Sequence, residues 1–481
     1  MPASLPLNIL RKLTMPSSPA SPYVILHLGL GSFHRAHQAV YLHQLHELGD
    51  TRWVLAGGNI RADMAETIEA LRAQGGAYTL ETVTPAQERA YTWIESIKTV
   101  VPFEPSLAGL IELGANANTR IISFTVTEAG YYLDSSYQLD KGAPDVIADV
   151  ASAWSGQPGA TIYGALAAIL RARMKQGGGP ATLMNCDNLR HNGERARAAL
   201  LQFISMTGET ELLAWVTAHT TSPNAMVDRI TPRPTPDVAE RVKAATGRSD
   251  AAAVMGESFI QWVVEENFAN GRPDWERVGV ELVKSVTAHE EAKIRLLNAT
   301  HSCIAWAGTL AGYTYIDEGA RDPLIRKMAF DYVTDDTIPL LRPSSIDLEK
   351  YRDAVLDRFS NPALKDTNQR VAMDAFSKIP AMIAPTIRER LKRNESIQSV
   401  AMLPALFLAY LKLWHGGKIP YVYQDQAMGE SIARAICVAP DSVAAYAGNI
   451  TLWGEIANEK RLVEALRDAV ARVEKFQKAT S

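Results

Sequence analysis

Cysteine is scarce: Cys186, Cys303 and Cys437 stand singly in 481 residues. That excludes a disulfide framework and a Cys-x-x-Cys zinc site, and the expected setting is a reducing cytoplasm. No apolar run is long enough to cross a bilayer, and residues 1–22 read as a loose leader without the unbroken apolar core of a signal peptide. A basic excess is missing too. With 49 Lys and Arg against 53 Asp and Glu, the net charge of -4 offers no footprint for nucleic acid. Fixed-period repeats and low-complexity tracts are absent, which removes solenoid architectures. What remains is a globular chain with neither membrane nor nucleic acid as partner, long enough for more than one domain.

From Tyr23 to about residue 285, strand-like runs alternate with amphipathic helical patterns. "YVILHLGL", "RWVLAGG", "TRIISFTVTE" and "ATLMNCDN" read as strands, with "HQAVYLHQLHEL" and "DMAETIEALRAQ" as helices between them. That order predicts an α/β domain with a parallel sheet of the Rossmann type over residues 23–285. From residue 286 to 481 long helical patterns dominate, among them "HEEAKIRLLNATHSCIAWAGTLAGY" and "NEKRLVEALRDAVARVEKFQKA", so a mostly helical second domain is expected.

The stretch "GLGSFHRAH" follows the first strand. Gly29, Gly31 and Ala36 approximate the glycine turn that lets a pyrophosphate approach a helix N-terminus, with the third position displaced. A tight turn without a ligand would need the same small residues. Asp63, beyond the second strand, would accept ribose hydroxyls and repel a 2′-phosphate, favouring NAD over NADP; it could equally cap the helix that follows, and Arg61 argues for the phosphate. His27, His34, His37 and His43 have no grouped carboxylate or thiolate, so no metal site is expected.

In "HEEAKIRLLNATHSCIAW", Lys293, Asn298 and His301 fall at roughly 0°, 140° and 80° around an α-helix, a polar sector in an apolar rod. A lysine desolvated there could act as a base, Asn298 could stabilise an alkoxide and His301 could hold a hydroxyl. A solvated helix edge is the other reading. "NCDNLRHNG" sets Asp187, Asn188 and Asn192 at a strand's carboxyl end, where open α/β sheets bind ligands, and "PNAMVDRITP" carries Asp228 and Arg229; turns and caps would explain both as well.

Taken together, "GLGSFHRAHQAVY", "TVTEAGYY", "NCDNLRHNG", "PNAMVDRITP", "KIRLLNATHS" and "DTNQRVAMDAFSKIP" resemble the polyol-specific long-chain dehydrogenases, the mannitol 2-dehydrogenase family, over nearly the whole chain. The resemblance implies zinc-independent oxidation of a sugar alcohol to a ketose. Its catalytic lysine falls on Lys293, its oxyanion-holding asparagines on Asn188 and Asn298, its substrate-positioning histidine on His301 and a proton-passing acid on Glu290. Asp228, Arg370 and Lys378 match substrate-pocket positions. Met373 stands where mannitol-oxidising members carry histidine, and "HSCIAWAGTL" and "FSKIPAMIAPT" look most like members that convert D-arabinitol to D-xylulose. Gly29, Gly31, Phe33, Arg35, Asp63 and Glu128 form the expected NAD-binding set, with Phe33 and Arg35 along the pyrophosphate. Expected partners are a small polyol and its ketose, with the chain a monomer or small homo-oligomer. Oxidation of mannitol or another polyol and reduction of a hexuronate such as fructuronate are the alternatives within the family. An NAD-binding redox sensor without turnover would keep the glycine turn but has no use for a lysine beside two asparagines.

Overall fold

The computed structural model describes residues 21–134, 136–425 and 427–480. Apart from Ser21 and Pro22, the expected leader lies outside the described residues. The first half carries strands β1 (Tyr23–Leu28), β2 (Trp53–Gly58), β3 (Tyr78–Val83), β4 (Arg89–Ile94), β5 (Ile97–Val101) and β6 (Thr119–Phe124). These are followed by β7 (Ala181–Asn185), β8 (Thr220–Thr221), β9 (Ala225–Asp228), β10 (Val254–Glu257), β11 (Gln261–Glu265) and β12 (Glu281–Val283).

Six of them pair in parallel, in the order β5-β2-β1-β6-β7-β8. The largely apolar, buried runs of β1, β6 and β7 suit strands covered by helices on both faces, and every residue of β7 is buried. Strand order reverses between β1 and β6, so the loops leaving their carboxyl ends diverge and open a crevice between them. The four strand-like runs of the sequence occupy β1, β2, β6 and β7. Two three-stranded sheets, β10-β3-β4 and β12-β11-β9, add antiparallel pairs that a purely doubly wound reading does not contain.

Beyond β12 the described chain is helical. A continuous rod is built from helix Thr287–Ala292, a π-helical segment Lys293–Asn298 and helix Ala299–Leu310. Its apolar side enters a core in which Trp306 meets Phe407 at a centroid distance of 5.1 Å, and helices Met402–His415 and Lys460–Thr480 pack around it. The fold is thus a Rossmann-type domain followed by a mostly helical one. The two halves meet through a buried ion cluster: Arg358, on helix Leu348–Phe359, reaches Asp228 of β9 and Glu257 of β10.

Candidate active site

The crevice at the strand reversal is a cavity of about 930 Å3. Gly29, Gly31 and Phe33 of the glycine turn line it, with Asn59, Arg61 and Asp63 after β2 and Thr125–Thr127 after β6. Gly29 has φ +105°, and a Cβ there would sit 2.4 Å from the Thr125 carbonyl oxygen, so only glycine lets the turn close against β6. Such a shape, with small residues at the turn and a carboxylate at the far end, fits a dinucleotide. Asp63 does not cap the next helix: helix Ala65–Ala73 follows Met64, which is in the left-handed region and makes no side-chain cap bond. Arg61 is engaged elsewhere, its Nη2 donating to the Tyr132 hydroxyl at 2.9 Å and its Nε to the Ala160 carbonyl at 3.3 Å. Glu128 opens the one-turn segment Glu128–Tyr131; its side chain lies outside the described residues.

Arg35 corrects the expected pyrophosphate set. It is 1% exposed, its Nη1 donates to the Ala252 carbonyl, and its guanidinium lies 5.6 Å from the Tyr78 ring centre. Residues two apart on a helix face opposite sides, so with Phe33 in the cavity Arg35 must enter the core. The histidines beside it are structural. His27 and His34 stack at 3.5 Å, His27 is held to Ser123 and the Gly29 carbonyl, and His37 meets the Gln261 carbonyl. Burial pushes His27 and His37 down to about 3 and His34 well below the ordinary value, so all three are neutral. Among the described residues no group of three His, Cys, Asp or Glu side chains could hold a metal ion.

A smaller cavity of about 50 Å3 joins the domains, lined by Asn188, Val227, Glu290, Lys293 and Asn298 among others. Asn188, in the loop after β7, also lines the larger crevice, so it connects the two. The Lys293 ammonium donates to Asn188 Oδ1 at 2.5 Å and to the Val227 carbonyl. Glu290 accepts the His191 backbone N–H at 3.0 Å, and burial raises its carboxyl above the usual carboxylate range despite that bond and the nearby His191 and Arg190. The α-helical placement of Lys293 and Asn298, roughly 140° apart, needs correction. They are the two ends of the π segment, whose hydrogen bonds run from i to i+5 and bring residues five apart over one another. This is what puts both on one wall.

Four other expected site residues form a neighbouring group and are not among the residues described on that wall. His301 stacks on Phe359 at 4.3 Å, with its Nε2 3.1 Å from Asp366 Oδ2. Burial lowers its pKa, with Asp366 opposing. Arg370 clasps the same carboxylate at 2.5 and 2.6 Å, and Lys378 donates to the Val371 carbonyl at 2.6 Å. Met373 ends helix Asn368–Ala372, next to Asp374, which reaches the rim of the large crevice. Asp366, the common partner, went unread in the sequence although it lies four residues before Arg370, where an ion pair on one helical face is expected. Asp228 faces the domain boundary, with both oxygens taken by Arg358 at 2.7 and 2.9 Å. Nothing in the sequence marked Arg358 or Glu257, because their pairing joins segments about a hundred residues apart.

The mannitol dehydrogenase Rossmann-domain model matches residues 23–277, and the mannitol dehydrogenase C-terminal-domain model matches residues 285–474. The chain belongs to the mannitol dehydrogenase family. It is thereby an oxidoreductase of the polyol dehydrogenase type. A D-arabinitol 4-dehydrogenase of Ralstonia nicotianae is 57% identical over 96% of this chain and 99% of its own length. One from Klebsiella pneumoniae is 52% identical over 93% and 97%. The Pseudomonas fluorescens mannitol 2-dehydrogenase, solved as a ternary complex with NAD and D-mannitol, superposes with a TM-score of 0.80 at 33% identity, covering 96% of this chain and 94% of that one.

Proposed function

We propose that this enzyme oxidises D-arabinitol to D-xylulose, with NAD seated in the large crevice and Lys293 as the base. The observation that carries the mechanism is the meeting of Lys293, Asn188 and Asn298 at the cavity that adjoins that crevice. NAD, when bound, supplies the acceptor for the hydride that leaves the carbinol carbon. Gly29, Gly31 and Phe33 would hold its pyrophosphate side and Asp63 its ribose hydroxyls. Lys293 in its neutral form takes the hydroxyl proton and becomes an ammonium, while the O–H electron pair closes the carbonyl. The amides of Asn188 and Asn298 donate to the oxygen as its negative charge builds. Glu290, protonated more readily than an exposed glutamic acid, is placed to pass the proton on from the lysine.

The choice of D-arabinitol is supported by the two D-arabinitol 4-dehydrogenases among the relatives and by Met373, a thioether where mannitol-type members carry histidine. A buried hydroxyl left without a partner costs about 1–3 kcal/mol, so the extra carbinol of a hexitol should be disfavoured. Steady-state kinetics with D-arabinitol, D-mannitol and hexuronates test this, run with NAD and again with NADP. The highest kcat/KM is expected for D-arabinitol with NAD. A better value for mannitol would refute the substrate, and one for NADP would refute the role of Asp63.

Because a lysine and two amides cover the base and oxyanion roles that a metal ion could otherwise fill, activity is expected to survive exhaustive dialysis against a chelator. Loss of activity that zinc restores would overturn the mechanism.

A further inference from the structure

Arg358 belongs to the helical domain but spends its charge on the other one. It is 4% exposed, donates to both oxygens of Asp228 and, at 2.9 and 2.7 Å, to both oxygens of Glu257, and lies against the Phe259 ring at 4.0 Å. A lone interdomain ion pair would fasten two surfaces. Here the fastened carboxylate is next in sequence to Val227, whose carbonyl accepts the Lys293 ammonium, on a four-residue strand. Burial alone would push the Asp228 carboxyl up; Arg358 first and Lys293 second pull it below its usual range, so both cations act on the same carboxylate.

We propose that Arg358 is a positioning residue for the reaction: by holding both oxygens of Asp228 it screens that charge from Lys293, so that the base gives up its proton more readily when the two domains are seated together. This rests on the reading of Lys293 as the base. A carboxylate stabilises a nearby ammonium, and less so when a bidentate guanidinium already shares its charge. The remaining charged and titratable groups around the lysine do not replace this effect. His37 is held neutral by burial, Arg229 is turned to the Glu257 and Ala36 carbonyls, and Glu290, on the lysine's own rod, is biased by burial toward its neutral form. Arg190, on the same cavity, pairs with Glu291 at 2.9 Å, and Asp187 accepts the Tyr131 hydroxyl and the Val126 and Thr127 backbone N–H groups while burial raises its carboxyl above the usual range. Asp228 is the carboxylate among these that adjoins Val227, the lysine's own acceptor, and is clasped by Arg358.

The pH dependence of kcat for polyol oxidation tests the proposal in wild type, Arg358→Gln, Arg358→Lys and the Arg358→Gln/Asp228→Asn double variant. In Arg358→Gln the midpoint of the rise should move up by about one pH unit or more, since an opposite charge nearby shifts a titrating group by that order. Arg358→Lys should fall between, and the double variant should move back toward wild type. A lower kcat or melting temperature with an unmoved midpoint would reduce Arg358 to a fastening between domains and overturn the proposal. If Arg358→Gln does not fold, Glu257→Gln serves: freed of its second carboxylate, Arg358 neutralises Asp228 more fully and the midpoint should fall, while an unchanged or raised midpoint overturns the idea. Lys293→Ala with near-wild-type turnover would refute the base itself; an inactive Lys293→Ala with unmoved midpoints at Arg358 refutes only this inference.

Discussion

Lys293→Ala is expected to lower kcat for polyol oxidation by about 10²–10⁴-fold, the usual worth of a general base, with little change in NAD affinity. The lysine bonds to Asn188 and the Val227 carbonyl on the smaller cavity and does not line the crevice proposed for the dinucleotide, so its loss should strike turnover rather than cofactor binding. In wild type, oxidation should rise with pH as the ammonium releases its proton and then level off, and ketose reduction should run the other way because the protonated lysine is then the acid. Both dependences should vanish in the alanine variant, and added primary amines should restore part of the rate by filling the vacated space. Pre-steady-state and steady-state rates in both directions, with NAD titrated by fluorescence, decide it. Near-wild-type turnover would leave the site without its base.

Gly29→Ala should be damaging for a different reason. Its φ of +105° is strained for any residue with a side chain, and the new Cβ would meet the Thr125 carbonyl oxygen at 2.4 Å. Backbone strain alone is worth about 1–3 kcal/mol, and relieving the clash means moving the turn off β6. Urea unfolding should show a loss of at least that size, and NAD affinity should drop because the displaced backbone lines the crevice. The same substitution at Gly31, which has only the Gly29 oxygen within reach at 3.9 Å, should cost far less stability, and equal effects at the two positions would sink the argument.

Much of the scaffold was legible because it is written in local periodicity. The apolar runs of β1, β2, β6 and β7, the glycine turn and the change to helical texture near residue 285 all announce themselves within a dozen residues. The grouping of Lys293 with Asn298 was legible in content but not in geometry, since an α-helical wheel cannot foresee a π segment in an unbroken helical pattern. Arg35 illustrates the opposite case: the two-residue spacing from Phe33 already barred both from one face, and the expectation neglected it. The contact of Asp366 with His301 and the Asp228–Arg358–Glu257 cluster depend on meetings between distant segments, where charge identity alone does not name a partner. The antiparallel pairs in the two small sheets were hidden for the same reason, being set by register across the domain.

The π segment makes this site hard to move. Lys293 and Asn298 face one wall because the helix holds one residue more in that turn than a regular one would. Copied into a straight helix of another scaffold, the same six amino acids would swing the amide roughly a third of a circle from the amine, and all the right atoms would point at different neighbours. Transplanting the chemistry therefore means transplanting the irregular backbone, together with the packing from Tyr332–Thr337 and Ile379–Ile383, themselves π-helical, that sits against it.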